Sequence, residues 1–135
     1  MISSTCVGFS ILGIGFSLPS FTITAIGAPI KAGSTFTLTG SGVGNLTLAD
    51  SNGLGVLNLL NSTTVVYTLT QDIPAGGTTN VNVTGLASIQ AIKTYTFAVQ
   101  NVIGNPDTIK TNDSASQTLF GISLLGINAG YCGAA

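Results

Sequence analysis

Short segments in which apolar and polar residues alternate recur along the whole chain, and turn-forming residues separate them. The clearest is residues 93–100, where Tyr95, Phe97 and Val99 fall on one face of an extended strand. Similar segments cover residues 21–26, 35–39, 45–49, 56–60, 64–70, 79–84 and 117–127. No window repeats its apolar residues at the 3.6-residue period of a helix. The pattern predicts eight or nine short antiparallel strands.

This strand pattern favours an all-β fold, namely a single immunoglobulin-like antiparallel β-sandwich with an N-terminal donor or edge strand. A length of 135 residues is enough for one domain with a real core. The chain has no Trp, so the Cys-Trp-Cys core of true immunoglobulin domains is missing and the strand order stays open. We divide the chain into an N-terminal apolar strand, residues 1–20, and a sandwich domain, residues 21–135.

The two ends of the chain carry nearly the same short segment. Residues 8–15 read GFSILGIG and residues 121–128 read GISLLGIN, with Cys6 before the first copy and Cys132 after the second. If the copies pair antiparallel with Leu12 opposite Gly126, then Cys6 lies opposite Cys132. We therefore predict a disulfide between these cysteines. It would close one molecule or couple two, and we favour the coupling of two.

The first of these segments has none of the features that prevent the edge of a sheet from pairing with another chain. Residues 7–18 contain no charge and no proline, and Pro19 follows as a short hinge. Such a strand either begins its own sheet or is donated to a neighbouring molecule by β-augmentation, and the missing edge protection favours donation. The donor residues would be Val7, Phe9, Ile11, Leu12, Ile14, Phe16 and Leu18, and the matching partner strand would contain Ile122, Leu124, Leu125 and Ile127.

Charge is scarce throughout the chain. Three lysines and four aspartates make up 5% of the residues, against about 25% in an average domain. A formal net charge of −1 gives little repulsion between copies, which favours self-association. Three scattered lysines cannot neutralise a phosphate backbone, so nucleic acid is excluded as a partner. The same composition predicts a surface that changes little at acidic pH.

The residues needed for catalysis are missing. The chain has no His and no Glu, so its many Ser and Thr hydroxyls have no base to activate them. The four aspartates lie at or beside turns, where Asp is favoured for local hydrogen bonds. We expect no enzyme activity, no metal site and no cofactor.

Two features predict an extracellular location. Two cysteines in a short chain favour an oxidising compartment. Four tripeptides fit the N-glycosylation pattern, and we expect at least one of them to carry an N-linked glycan; they begin at Asn45, Asn61, Asn82 and Asn112. The apolar run at residues 7–18 is shorter than the roughly 20 residues of a transmembrane helix, so no membrane span is predicted. We expect residues 1–20 to belong to the mature chain, with a retained signal segment as the alternative.

In its overall character the chain resembles archaeal extracellular thread filaments and related donor-strand pili. The resemblance rests on the donor-like residues 1–20, the Thr- and Asn-rich sandwich, the four sequons and the scarcity of charge. It implies a glycosylated subunit that joins copies of itself head to tail into an extracellular filament, which serves adhesion or biofilm cohesion. Two alternatives stay open: a secreted or surface immunoglobulin-like binding or adhesin module, and a viral coat or decoration protein.

Overall fold

Two antiparallel sheets pack face to face as a β-sandwich. A computed structural model of the chain describes residues 1–11, 14–86, 92–105, 113–124 and 127–132. Ten strands lie within these residues. They are β1 Ile2–Ile11, β2 Ile14–Thr24, β3 Thr35–Thr39, β4 Leu46–Asp50, β5 Gly55–Asn61, β6 Thr64–Leu69, β7 Thr78–Leu86, β8 Ile92–Asn101, β9 Ser114–Leu124 and β10 Ile127–Cys132, and one turn of 3-10 helix, Val43–Asn45, precedes β4.

The strand order confirms the predicted immunoglobulin-like sandwich. One sheet has the order β1-β2-β7-β4, which corresponds to strands A, B, E and D of that fold. The other has the order β10-β9-β8-β3-β6-β5, in which β9, β8 and β3 correspond to strands G, F and C. The β5–β6 hairpin is an addition beside β3, and β10 is an addition outside β9. Strand β1 lies at the edge of its sheet.

The core forms around β8, the strand with the clearest alternation in the sequence. Tyr95 and Phe97 are fully buried. The ring of Phe97 lies 5.7 Å from that of Phe21 in the opposite sheet and 5.9 Å from that of Phe36 in its own sheet, measured between centroids. Large apolar side chains therefore fill the space between the sheets in the central part of the sandwich, as the alternation predicts.

Two segments predicted as single strands are each divided between two strands. Residues 7–18 contribute to β1 and β2, which pair with Ile11 opposite Ile14. Residues 117–127 contribute to β9 and β10, which pair with Leu124 opposite Ile127. The division of residues 117–127 accounts for the tenth strand, because β2 also takes in most of the strand predicted at residues 21–26. Residues 12–13 and 125–126 lie outside the described residues.

The position at which the sequence analysis divides the chain, residue 20, lies inside a strand. Strand β2 runs without interruption from Ile14 to Thr24, and its residues Ser20 to Thr24 pair with β7. Pro19 lies inside β2, opposite Cys6, and is not a hinge. The described residues before Ser20 belong to the first sheet, in which β1 pairs with β2 and β2 pairs with β7.

Asp50 has the structural role that its position beside a turn predicts. One of its carboxylate oxygens accepts a hydrogen bond from the Gly55 backbone N–H at 2.9 Å, which closes the β4–β5 connection. The other accepts a hydrogen bond from the Thr79 hydroxyl at 3.3 Å. The carboxylate thus ties together β4, β5 and β7.

Buried tyrosines and one exposed ion pair determine how pH acts on this fold. Burial raises the pKa values of Tyr67 and Tyr95 above the ordinary tyrosine value of 10.0. On the acidic side, a hydrogen bond from the Ala32 backbone N–H and a weaker one from Lys31 lower the pKa of Asp72 below 3.8. The Lys31 and Asp72 side chains are 50% and 49% exposed, so their pair contributes little to stability.

We expect alkaline pH to destabilise the fold more than acid does. The pKa values of the buried tyrosines are raised in the folded state. Their contribution to the free energy of unfolding is therefore complete below pH 10 and is lost as the pH rises through these folded-state pKa values. The Asp72 contribution is present above its ordinary pKa of 3.8 and is lost only as the pH falls through its lowered value. The melting temperature measured by circular dichroism should change by less than about 5 °C between pH 7 and pH 3. It should fall steeply above pH 10, and a larger loss on the acidic side would contradict this account.

Candidate functional site: the paired terminal hairpins

Two β-hairpins at the ends of the chain extend beyond the rest of the sandwich on the same side. The N-terminal hairpin is β1–β2 and the C-terminal hairpin is β9–β10. The ladder between β2 and β7 stops at Ser20 opposite Asn82, and the ladder between β8 and β9 stops at Ile92 opposite Phe120. We call the part of the two hairpins that lies beyond these ladders the terminal arm, and we include the residues at its base. Its described residues are 6–11, 14–19, 119–124 and 127–132.

Each copy of the sequence repeat is the outer part of one hairpin. The described residues of the two copies lie in different sheets, and each copy pairs within its own hairpin. Leu12 and Gly126, which the sequence analysis placed opposite each other, lie outside the described residues. The proposed donor residues pair with one another: Val7 with Leu18, Phe9 with Phe16 and Ile11 with Ile14. Of the proposed partner residues, Leu124 pairs with Ile127 and Ile122 pairs with Ala129, whereas Leu12 and Leu125 lie outside the described residues.

The two hairpins are joined at their base by a disulfide between Cys6 and Cys132 of the same chain. The bond is therefore within one molecule, whereas the sequence favoured a bond between two. A second link lies beside it, where the Cys132 backbone N–H donates to the Ser17 hydroxyl at 2.9 Å and that hydroxyl donates to the Cys132 carbonyl at 3.2 Å. A disulfide is typical of an oxidising compartment.

The two sheets converge where these links form. The Cα atoms of Cys6 and Cys132 are 5.8 Å apart, whereas packed sheets are usually about 10 Å apart. A gap this narrow has no room for large side chains. Among the residues whose side chains are described, those that alternate with Cys6 and Cys132 on the facing sides are accordingly small; they are Gly8, Ser17 and Gly121.

Apolar side chains of the terminal arm are exposed on its outer faces, whereas the central sandwich buries its apolar side chains between the sheets. Val7 is 56% exposed, and on the other sheet Phe120 is 45% exposed opposite Ile92, which is 65% exposed. The hairpins carry no charged side chain, since residues 1–24 and 114–132 contain no Lys or Asp.

A second apolar surface lies along the opposite side of the sandwich, between the edge strands β4 and β5. Here a cleft of about 160 Å³ is open to solvent, and it is lined by Val43, Gly44, Leu46, Leu48, Leu57, Leu59 and Val65. On β5, Val56, Leu59 and Leu60 are 47%, 60% and 67% exposed. Residues 53–63 contain no charge and no proline, so the outer edge of β5 has no protection against strand addition.

The four sequons occupy different settings. Asn61 lies at the exposed tip of the β5–β6 hairpin, where its side-chain oxygen accepts hydrogen bonds from the Thr63 backbone N–H at 2.9 Å and hydroxyl at 2.8 Å. Asn82 lies in the central strand β7, and Asn45 ends the 3-10 turn before β4. Asn112 lies outside the described residues.

No three residues of the types His, Cys, Asp or Glu lie close enough together in the described residues to hold a metal ion. In the same residues no helix is long and apolar enough to cross a membrane. Comparison with known proteins gives no family model that matches the chain, no similar curated protein and no similar solved structure.

Ser17, Ile92 and Phe120 are the site residues that the sequence analysis missed. A signal for them was present in the alternation. Apolar residues occupy odd positions from Val7 to Ile11 and even positions from Ile14 to Leu18. A change of phase across two residues is what a tight hairpin produces, because each strand must keep its apolar side on the same face.

Proposed function

We propose that the protein is the structural subunit of an extracellular surface filament and that copies associate through the terminal arm. The observation that carries this proposal is the uncharged terminal arm, whose outer faces expose apolar side chains instead of burying them. Val7, Ile92 and Phe120 remain largely exposed in the single chain. Apolar surface of this kind, on a chain with little charge, is characteristic of an interaction site.

The hydrogen-bonding edges of the arm favour a protein partner over a lipid. Strands β1 and β10 are the outermost strands of their sheets, so one edge of each has no partner strand within the described residues. In a membrane these backbone groups would lose their hydrogen bonds to water and gain none in exchange. A strand from another molecule supplies both apolar contact and backbone hydrogen bonds, which is β-augmentation.

The cleft between β4 and β5 is the surface of a second copy that suits the arm best. It is apolar, it borders an unprotected strand edge, and it lies on the side of the sandwich away from β1 and β10. Neither surface carries a charge that would have to be desolvated on contact. A contact between two different surfaces of the same molecule does not close on itself, and repetition of it generates a fibre.

The disulfide and the composition agree with a location outside the cell. The Cys6–Cys132 bond makes each subunit covalently closed, and so filament cohesion in this proposal is non-covalent. N-linked glycans would supply the solubility that the few charges do not. In such a filament the protein would serve adhesion or biofilm cohesion.

Electron microscopy and sedimentation velocity of the oxidised protein test this function. We expect unbranched polymers whose length increases with protein concentration. Monomers at every concentration would contradict the proposal and favour a binding module. Closed shells would contradict it and favour a viral coat or decoration protein.

A further inference from the structure

A pocket of about 430 Å³ opens on the outer face of the four-stranded sheet, where β2 and β7 separate. The two strands stop pairing after Ser20 and Asn82, while β7 continues to Leu86 and β2 extends away into the terminal arm. The pocket has an apolar side formed by Val7, Leu18 and Pro19. Its polar side includes Asn80, Asn82 and Thr84.

Two groups in this pocket lack the contacts that their chemistry favours. The side-chain oxygen of Asn80 is buried, yet it accepts no hydrogen bond from any described residue. A buried acceptor left in this state costs about 1–3 kcal/mol. Beside it, Val7 presents an apolar side chain that is 56% exposed. A ligand with both a hydrogen-bond donor and an apolar face would satisfy the two groups together.

The wall of the pocket contains a glycosylation sequon, Asn82-Val83-Thr84. The Ser20 hydroxyl donates a hydrogen bond to the side-chain oxygen of Asn82 at 2.5 Å. The amide nitrogen of Asn82 forms no hydrogen bond with the described residues, and it is the atom that glycosylation modifies. Asn61 offers a different setting, since it lies at an exposed hairpin tip.

We propose that Asn82 carries an N-linked glycan whose first sugar occupies this pocket. The sugar's apolar face covers Val7 and Leu18, and one of its N–H or O–H groups donates to the Asn80 oxygen. The glycan then bridges β7 to the base of the terminal arm at the point where the β2–β7 ladder ends. This inference concerns the single subunit and does not depend on filament assembly. Because the sugar covers Val7, the apolar surface left for contact between subunits is that of Ile92 and Phe120 on the other sheet.

The modification requires a sugar donor, which is an oligosaccharide linked to a polyprenyl phosphate carrier. A bond forms between Asn82 Nδ2 and the anomeric carbon of the first sugar. The bond from that carbon to a phosphate oxygen breaks, and the amide proton and the lipid phosphate are released. The transfer occurs on the unfolded chain during secretion, and since Asn82 faces outward from its sheet, folding does not carry the glycan into the core.

Secretion from a host with N-glycosylation, followed by glycopeptide mass spectrometry and thermal unfolding, tests the proposal. We expect Asn82 to be occupied in most molecules. Thr84→Ala removes the sequon but also the 3.1 Å hydrogen bond from the Thr84 hydroxyl to the Thr47 carbonyl, so each form is also produced in a host without N-glycosylation as its own reference. Glycosylation should raise the melting temperature of the wild-type protein by about 3 °C more than that of Thr84→Ala. Trimming the wild-type glycan to its first sugar should leave the melting temperature unchanged, because that sugar makes the contacts.

Matched variants separate the pocket from a general effect of glycosylation. Asn61→Gln removes an exposed sequon together with the hydrogen bonds that Asn61 accepts from Thr63, and glycosylation should still raise its melting temperature as much as that of the wild type. Asn80→Ala should leave Asn82 occupied but should abolish most of the rise in melting temperature that glycosylation of Asn82 produces. The proposal is overturned if Asn82 is unmodified, or if glycosylation raises the melting temperature of Thr84→Ala as much as that of the wild type.

Discussion

Replacing both cysteines, Cys6→Ser with Cys132→Ser, is expected to lower the free energy of unfolding by about 5 kcal/mol. The bond spans 126 residues of sequence, and a loop of that length gives close to the upper limit of disulfide stabilisation through the lost entropy of the unfolded chain. For a domain of this length the change corresponds to a fall in melting temperature of roughly 15 °C. Chemical denaturation followed by circular dichroism measures the effect.

The control for this variant is the wild-type protein after reduction, which should unfold at the same denaturant concentration as the double serine variant. Non-reducing denaturing electrophoresis supplies a second readout. The oxidised wild-type should run as a single monomer band that migrates faster than the reduced chain. A ladder of covalent multimers that collapses on reduction would contradict a bond within one molecule.

The second large effect is expected on assembly. Ile92→Gln combined with Phe120→Gln should raise the protein concentration required for polymerisation by at least about 100-fold, or about 2.7 kcal/mol per contact. An aromatic residue at the centre of an interface commonly contributes at least 2 kcal/mol by itself. The stability of the monomer should change little, because the two side chains are 65% and 45% exposed before any contact forms.

The chain offers closely matched controls for this experiment. Ile26 and Ile103 lie outside the terminal arm and are 55% and 44% exposed, similar to Ile92 and Phe120. Ile26→Gln combined with Ile103→Gln removes a similar exposed apolar surface and leaves Ile92 and Phe120 in place. If sedimentation velocity shows the same loss of polymer with both pairs, association is a general consequence of an apolar surface and the arm has no special role.

Most strands could be predicted from the sequence because alternation directly encodes burial in a half-exposed sheet. Residues 35–39 were predicted with the bounds that the structure has, and residues 93–100 match β8 within one residue at each end. In these segments every second side chain is apolar and contributes to the space between the sheets. The alternation in the sequence therefore identifies the same side chains that pack between the sheets.

The terminal hairpins could not be predicted in this way, because their apolar residues face outward and their connections lack the usual signal. Tight hairpins are most easily recognised by Asn-Gly or Asp-Gly, whereas Leu-Gly stands between the paired strands in both repeats. A run such as residues 7–18 then resembles one long strand. Only the shift of its apolar residues from odd to even positions indicates that two strands are present. This shift is hard to recognise in a run that is apolar throughout.

The partnership of Cys6 with Cys132 was predicted, but for the wrong geometric reason. The two repeats do not form a ladder; they belong to hairpins in opposite sheets, whose small-residue faces approach closely. Local pattern could not reveal which sheet each hairpin joins, since that depends on pairing with β7 and β8. The cleft between β4 and β5 was hidden for the same reason, because its lining residues come from separate parts of the chain.

Hydrogen–deuterium exchange on assembled and dispersed protein tests the central claim most directly. Amide exchange reports the loss or gain of backbone hydrogen bonds at strand edges. If the terminal arm couples the subunits, amides of β1 and β10 should exchange more slowly in the polymer than in the monomer, while the central strands β3 and β8 remain unchanged. Equal exchange of β1 and β10 in both forms, with slower exchange at another surface of the polymer, would contradict the account.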